Sequence, residues 1–313
     1  LRGRVERRFR QQCGHAGHPV HRCADFVAHV GQELGLGLVG GRAARQTLGQ
    51  LAFGGLKECT FIGAPEAALA PTQFPYSYEQ LMGQSGLAFR TRWFSNPQGA
   101  QTPLGTGRWH PVSPHGEGQQ EIAALSRATG WRLRMEQMPA EPRALGRERL
   151  ATDMVVSLSQ RLPVIVGLGT DLACVYGYHI HSTNLLVRDY QRPDQGDVRV
   201  SCYDQALHSP CVFLDGHAEP LPTREAFLAA LTIAVEGAKR PPAEGFHYGP
   251  DALETWVGDL ATYETCSEDD RKLLRLCNWW TLMHLSDARS AAAEFLDGGA
   301  ELLPAQTRPA LQQ

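Results

Sequence analysis

The sequence predicts an α+β fold with a helical C-terminal lobe, and three stretches of the chain support this. Residues 162–178 are strongly apolar but are interrupted by proline, glycine and aspartate, which indicates buried strands. The segments LACVYGYHI and NLLVRDY then form a predicted hairpin, and VRVSCY and PCVFL add shorter strands to the sheet. Beyond residue 249, apolar residues recur at helical spacing, which predicts two amphipathic helices.

The composition excludes several functional classes. A formal net charge of −3 gives no electrostatic reason to expect nucleic acid or an anionic membrane as a partner. No apolar run approaches the roughly 20 residues that span a bilayer, and no secretory signal is visible, so we expect a cytoplasmic protein. The 8 cysteines are irregularly spaced in a chain of 313 residues, which favours reduced thiols over a disulfide framework.

Residues 1–55 differ from the rest of the chain. They are rich in Arg, Gly, His and Gln and show poor apolar periodicity, so we expect a poorly ordered or spurious N-terminal extension. Soft and borderline metal ligands are dense in this segment, but they lack the paired spacing of zinc fingers, and we therefore predict no metal or other cofactor. These ligands are Cys13, His15, His18, His21 and Cys23.

The first regular elements follow residue 57. Residues 59–70, CTFIGAPEAALA, have the small apolar composition of a packed helix. Ser77 and Gln80 have capping-box spacing and predict a short helix over residues 78–82. Residues 87–94 alternate, as in a strand. Further predicted elements are helices at 118–129, 146–160 and 223–238, with a strand in WRLRMEQM.

A long loop is predicted over residues 95–117, because Gly, Pro, Ser and Thr are frequent there. Such a loop can reach across a cleft, and functional residues favour loops, so His110 and His115 are candidate substrate-binding residues. Glu117 and Arg90 are further candidates for contacts with a polar substrate. The competing interpretation, that these are ordinary polar side chains at the surface, is about equally well supported.

The two C-terminal helices define the predicted lobe at residues 241–313. An apolar stripe on each helix should face the core. The first stripe comprises Leu253, Trp256, Val257 and Leu260, and the second comprises Leu273, Leu276, Cys277, Trp280, Leu285, Ala288, Ala292 and Phe295.

Cys59 is the strongest candidate for chemistry. It lies at the predicted N-terminus of a helix, where unpaired N–H groups and the helix dipole lower the pKa of a thiol. The same N–H groups can stabilise an oxyanion after the thiolate attacks a carbonyl. The alternative is that Cys59 is a small buried hydrophobe, as free cysteines commonly are.

The motifs ECTFIGAPEAALA and YSYEQLMGQSGLAFR, followed by a GY hairpin with LLVRDY, resemble the papain-like family of the butirosin biosynthesis protein H N-terminal domain. That family is itself similar to double-glycine leader peptidases. The resemblance covers residues 57–238 and implies a papain-like domain at 56–240, in which a helix carrying the cysteine packs on an antiparallel sheet. It implies Cys59 as the nucleophile and Asp189 as an orienting acid.

The implied activity is amide or thioester chemistry of bacterial small-molecule metabolism, by a peptidase-like hydrolase or an acyltransferase. The substrate would be a small molecule, a peptide or an acyl group on a carrier. The sequence departs from the family at the catalytic histidine, because Asp171 lies near that position. Pro65 also argues for a helix that starts after Cys59.

Three interpretations follow from this departure. The first is a cysteine enzyme with Asp171 near the position of the base. The second is a catalytically inactive papain-like binding protein. The third is a metal-dependent hydrolase that uses His110 and His115. His179 and His181 fall at the hairpin turn, and a rise of about 3.3 Å per residue places them far from the start of the strand.

Overall fold

The computed structural model is an α+β protein with antiparallel sheets. It describes residues 44–45, 57–102, 105–112, 118–141, 145–169, 171–179, 184–190 and 198–306. The cysteine and histidine cluster at residues 13–23 therefore lies outside the described part of the chain, as does nearly all of the predicted N-terminal extension.

The described residues form seven α-helices and ten strands. The helices are α1 (Thr60–Leu69), α2 (Tyr78–Ser85), α3 (Gln119–Thr129), α4 (Leu145–Ser159), α5 (Thr223–Ala238), α6 (Gly249–Ala261) and α7 (Glu268–Gly299). The strands are β1 (Ala44–Arg45), β2 (Arg92–Thr102), β3 (Gly105–Trp109), β4 (Trp131–Glu136), β5 (Val164–Leu168), β6 (Asp171–Tyr178), β7 (Asn184–Arg188), β8 (Val198–Ser201), β9 (Leu207–His217) and β10 (Phe246–Tyr248). None of these helices is both long and apolar enough to cross a membrane.

The larger sheet has seven strands in the order β4-β9-β5-β6-β7-β8, with β1 also paired to β6. Every pairing in it is antiparallel. The central strands β5 and β6 are buried along almost their whole length, which confirms the prediction of buried strands for this apolar run. The β6–β7 hairpin is also confirmed.

The second sheet corrects the predicted loop at residues 95–117. Strands β2 and β3 pair as a hairpin through Trp109, and β10 pairs with the other edge of β2. The register shifts between Ser95 and Ala100, and this irregularity accommodates Pro97, which cannot donate to a ladder, and Gly99 at φ +74°. Of the strand predicted at 87–94, residues 92–94 lie in β2, whereas Leu87–Phe89 form a 3₁₀ turn.

Helix α1 packs on β5 and β6 of the larger sheet. The Thr60 hydroxyl oxygen accepts a 3.4 Å hydrogen bond from the Leu172 N–H, and the Cys174 thiol donates to the Ala64 carbonyl at 3.4 Å. The expectation of a helix that starts after Cys59 is confirmed. The helix begins at Thr60, because the first turn closes on the Cys59 carbonyl before Pro65 is reached.

The C-terminal helices pack on the second sheet and on α2. Helix α7 packs on α2, and Ala288, Ala291 and Ala292 join the core cluster that contains Cys59. The N-terminal half of α7 joins α6 and the second sheet in another cluster. That second cluster comprises Trp93, Trp109, Ala252, Trp256, Leu274 and Cys277. The proposed boundary at residue 240 stays a prediction.

The predicted apolar stripes of α6 and α7 are partly wrong. Leu253 and Val257 of α6 are exposed, as is Leu276 of α7. The buried face of α7 instead carries small and polar residues, which let the helix approach its neighbours closely. The buried residues of α7 are Leu274, Cys277, Thr281, His284, Asp287, Ala288, Ala291, Ala292 and Gly299.

The contact of α1 with Tyr190 gives a prediction for stability. A Cβ added at Gly63 would overlap the hydroxyl oxygen of the buried Tyr190. We therefore expect Gly63→Ala to lower the free energy of unfolding by about 1–3 kcal/mol. Gly258→Ala is the matched control, because nothing lies within 4 Å of its added Cβ on exposed α6, and it should raise stability by up to about 1 kcal/mol. Urea unfolding measures both, and equal stability of the two variants would contradict the prediction.

Candidate functional site

Cys59 is the N-cap of α1. Its backbone is extended, at φ −87° and ψ 93°, and its carbonyl accepts hydrogen bonds from the N–H groups of Ile62 at 3.0 Å and Gly63 at 2.9 Å. Backbone N–H groups of Phe61 and Ile62 also act on the thiol and favour its ionised form. The predicted position of this cysteine at a helix N-terminus is therefore confirmed.

The predicted lowering of the Cys59 pKa is wrong. The residue is 1% exposed, and burial raises the pKa of its thiol far above the ordinary value. The nearby Asp287 carboxylate raises the pKa further, whereas the two N–H groups and Arg90 lower it by less. Desolvation therefore outweighs the helix terminus, and the resting thiol is protonated at neutral pH.

A hydrogen-bonded chain connects the Cys59 backbone to α7. The Tyr78 hydroxyl oxygen accepts from the Cys59 N–H at 2.9 Å, and the hydroxyl donates to Oδ2 of Asp287 at 2.6 Å. The same Oδ2 accepts from the Glu58 N–H at 3.3 Å. Tyr78 is placed by the capping box of Ser77, because that box fixes the first turn of α2. These hydrogen bonds hold the cap of α1 to helices α2 and α7.

Asp287 is a buried carboxylate whose two oxygens differ in their hydrogen bonding. The residue is 1% exposed, and its Oδ1 has no hydrogen-bond partner among the described residues. Burial raises the pKa of Asp287 to about 6, although the bonds from Tyr78 and the Glu58 N–H oppose this. Asp287 therefore changes its protonation state close to neutral pH, beside the thiol.

His284 lies one turn before Asp287 on α7 and is 3% exposed. Its Nδ1 lies 2.8 Å from the Trp280 carbonyl, and its ring packs against that indole with 4.7 Å between centroids. Burial lowers the pKa of His284, whereas the carboxylates of Glu58 and Asp171 raise it by a smaller amount. Charges from two chain segments that flank α1 therefore reach this imidazole.

The two predicted acidic residues lie at ends of neighbouring strands. Asp171 is the first residue of β6 and pairs with Leu168 of β5. Asp189 follows the last residue of β7 directly and is 2% exposed. Arg188 pairs with Cys174, which places Asp189 at the end of β7 that adjoins the start of β6. Their predicted catalytic roles stay predictions.

Arg90 is engaged within the protein. Its NH2 atom lies 2.5 Å from Oε1 of the buried Glu121, and its positive charge lowers the pKa of Cys59. Glu121 also accepts from the Gly118 N–H at the start of α3. The predicted role of Arg90 in substrate binding stays a prediction. Its ion pair with Glu121 also joins the segment just before β2 to α3.

The predicted histidines fall in different places. His110 follows β3 and lies edge-on to Phe94 of the second sheet, where burial and Arg92 lower its pKa. His179 follows the far end of β6, where its N–H donates to the Asn184 carbonyl at 2.9 Å. His115, Glu117 and His181 lie outside the described residues. Within the described part of the chain, no group of three or more ligating side chains could hold a metal ion.

The sequence reasoning missed Tyr78, Asp287 and His284. Tyr78 has a local signal, because the capping box places it at a fixed position in the first turn of α2. His284 and Asp287 lie on the buried face of α7. The small apolar residues Ala288 and Ala291 follow on the same face, because residues three or four positions apart lie on one side of a helix. A polar pair inside such a stripe indicates a buried site.

The raised pKa of Asp287 gives a prediction for stability. Its ordinary value is 3.8, and its value in the folded protein is about 6. The folded state therefore binds this proton more tightly than the unfolded chain, so the stability that protonated Asp287 contributes is fully present below pH about 4 and is lost as pH rises through about 6. Above that pH, Asp287→Asn should be the more stable protein by on the order of 3 kcal/mol, with the gap closing on acidification.

Denaturant unfolding at a series of pH values measures this gap. Asp269→Asn is the matched control on α7, because that side chain is 96% exposed, and its effect on the free energy of unfolding should be small beside that of Asp287→Asn. A gap for Asp287→Asn that is constant with pH would contradict the assignment of a raised pKa.

Burial of Cys59 gives a prediction for thiol reactivity. Because the thiolate is the reactive species and this thiol is both buried and protonated, native Cys59 should react with iodoacetamide at pH 8 more slowly than the half-buried Cys266. Peptide mapping by mass spectrometry measures both rates in one sample. Labelling of Cys59 as fast as that of Cys266 would show that the resting site is open.

Comparison with known proteins adds no family assignment. No protein-family model matches the chain, and no curated protein matches it either. What can be said of its chemistry therefore depends on the geometry around Cys59 and on the resemblance of its motifs.

Proposed function

We propose that the protein is a papain-like cysteine-dependent enzyme that acts on an amide or a thioester. The observation that carries this proposal is the position of Cys59 at the cap of α1, with the N–H groups of Phe61 and Ile62 acting on its sulfur. It would serve bacterial small-molecule metabolism as a peptidase-like hydrolase or an acyltransferase. No cofactor is needed for either reaction.

The proposed chemistry is acyl transfer through Cys59. The sulfur attacks the carbonyl carbon, and the carbonyl oxygen becomes an oxyanion that the N–H groups of Phe61 and Ile62 stabilise. The C–N or C–S bond to the leaving group then breaks, and the leaving amine or thiol takes up a proton. The acyl group passes from Cys59 to water in a hydrolase, or to an amine in an acyltransferase.

The packing of α1 supports the papain-like part of the proposal. The helix that begins after Cys59 lies on β5 and β6 of an antiparallel sheet, which is the arrangement that the motif resemblance implies. Asp189 follows β7, where the resemblance expects an orienting acid. Such a scaffold holds the nucleophile on a rigid element and not on a loop.

Substrate access requires a change at the site, because Cys59 is 1% exposed. Side chains of α2 and α7, among them those of Tyr78, Leu81 and Ala288, belong to the same buried cluster as Cys59. We infer a closed resting state that opens when substrate binds. Such opening is common among enzymes that exclude water from the reacting groups.

A second candidate function is a catalytically inactive papain-like binding protein. The raised pKa of the buried Cys59 favours it, as does Asp171 at the position where the family has its histidine. The two candidates differ in one observable, which is covalent acylation of Cys59.

Acylation of Cys59 tests the enzyme directly. Incubation with an N-acetylcysteamine thioester of a short fatty acid should add one acyl group to the intact protein, and peptide mapping should place it on Cys59. Cys59→Ala should abolish this adduct and lower thioester turnover at least about a thousandfold, because no other group replaces a nucleophile.

Cys266→Ala is the matched control for this experiment. Cys266 is half-buried and lies after α6, so its removal should leave both the adduct and the turnover unchanged. An adduct that persists in Cys59→Ala, or no adduct on the wild-type protein, would exclude the proposed chemistry and favour the binding protein.

A further inference from the structure

We propose that His284 of α7 is the general base and acid for Cys59, with Asp171 stabilising its protonated form. This inference rests on the proposed function. The base would then come from a C-terminal helix, and the start of β6 would carry the carboxylate of the pair.

His284 lies on the part of α7 that is hydrogen-bonded to the cap of α1. Asp287, one turn further along α7, accepts a hydrogen bond from the N–H of Glu58, the residue before Cys59. The start of β6 is joined to the residue after Cys59, because the Leu172 N–H donates to the Thr60 hydroxyl oxygen.

The electrostatics of the ring agree with this position. The carboxylate of Glu58, just before Cys59, and that of Asp171, at the start of β6, both raise the pKa of His284. The charges of the chain before Cys59 and of the start of β6 therefore both act on the imidazole. Because α7 is also bonded to the cap of α1 through Asp287, this buried histidine is the proposed partner of the thiol in proton exchange.

The hydrogen bond of His284 selects the tautomer that a base needs. A carbonyl oxygen only accepts, so the 2.8 Å contact with Trp280 requires Nδ1 to carry the hydrogen. In the neutral ring, Nε2 is then the nitrogen with the lone pair. Burial lowers the pKa of this ring, so the neutral form is present at neutral pH.

The proposed proton transfers balance over the reaction. The proton of the Cys59 thiol passes to Nε2 of His284 as the sulfur attacks the carbonyl carbon. The imidazolium carries the charge next to Asp171 and then gives its proton to the leaving amine or thiol, which restores the neutral ring. In the second half, Nε2 takes a proton from water or the acceptor amine, and returns it to the Cys59 sulfur when the acyl–sulfur bond breaks.

The other described histidines have different surroundings. Both ring nitrogens of His208 lie on carbonyl oxygens, those of Ser209 and Gly169, and this residue is exposed. His217 bonds to the Thr129 carbonyl, and His247 pairs with Asp251 at 2.6 Å. These contacts assign structural roles to the three histidines.

His284→Asn separates the base from its structural bond, because the asparagine amide can still donate to the Trp280 carbonyl. We expect the rate of Cys59 acylation by the N-acetylcysteamine thioester to fall at least about a hundredfold in this variant. His247→Asn is the matched control and should acylate at the wild-type rate.

The pH profile separates a base from a merely structural residue. Wild-type acylation should slow on acidification below the usual histidine pKa of about 6.5, and His284→Asn should lack this limb. The charges of Glu58 and Asp171 act on the ring, and Asp287, one turn further along α7, titrates at about pH 6. The limb should therefore persist in Asp287→Asn if it belongs to His284, and its loss there would overturn the assignment.

The outcomes distinguish this inference from the proposed function. Acylation of Cys59 at the wild-type rate and pH profile in His284→Asn would overturn the role of His284 and leave the cysteine chemistry intact. No acylation of the wild-type protein would overturn both.

Nitrogen-15 NMR of labelled histidine tests the same point without a substitution at His284 itself. His284 in the wild-type protein should be neutral at pH 7 with hydrogen on Nδ1. Its resonances should shift in Cys59→Ala and stay unchanged in Cys266→Ala. Hydrogen on Nε2 would exclude that nitrogen as the base.

Discussion

The carboxylate of Asp287 is the constraint on which the site depends. A charged group moved from water into a protein interior is destabilising unless it is hydrogen-bonded or neutralised. Here one oxygen receives hydrogen bonds from Tyr78 and from the Glu58 N–H, and the shift of the pKa to about 6 provides the neutral form. Helices α1, α2 and α7 are thereby fixed to one another at the residue next to Cys59.

Cys59 illustrates why the sign of one effect does not determine a pKa. The helix terminus favours the thiolate, as the sequence predicts, and the N–H groups of Phe61 and Ile62 act in that direction. Complete burial and the neighbouring Asp287 act in the other direction and are larger. A helix N-terminus lowers a thiol pKa when solvent or a cation also reaches the sulfur, and only the partial influence of Arg90 does so here.

Much of the fold is predictable from the sequence because its signals are local. The small-residue helix after Cys59, the capping box of Ser77 and the apolar strands β5 and β6 follow from spacing over a few residues. The β2–β3 hairpin escapes prediction because Pro97 and Gly99 normally mark loops, and a bulge is needed to keep them in a strand.

The candidate site is less predictable because its partners are far apart in the chain. The bonds to Asp287 connect residues separated by 209 and 229 positions. A pattern search that looks for a histidine at the start of β6 finds Asp171 there, and the imidazole near it comes from α7. The signals were the capping box before Tyr78 and the polar residues within the small-residue face of α7, and that face was predicted from its larger apolar side chains.

The 229 positions between Glu58 and Asp287 also set an order of events during synthesis. A ribosome that adds about 5–20 residues per second needs roughly 10 to 50 s to travel that distance. Throughout this interval the Tyr78 hydroxyl has no Asp287 carboxylate to donate to, and the Glu58 N–H before the cap of α1 lacks its acceptor. The hydrogen bonds that join the cap of α1 to α7 therefore form only after almost the whole chain has been made.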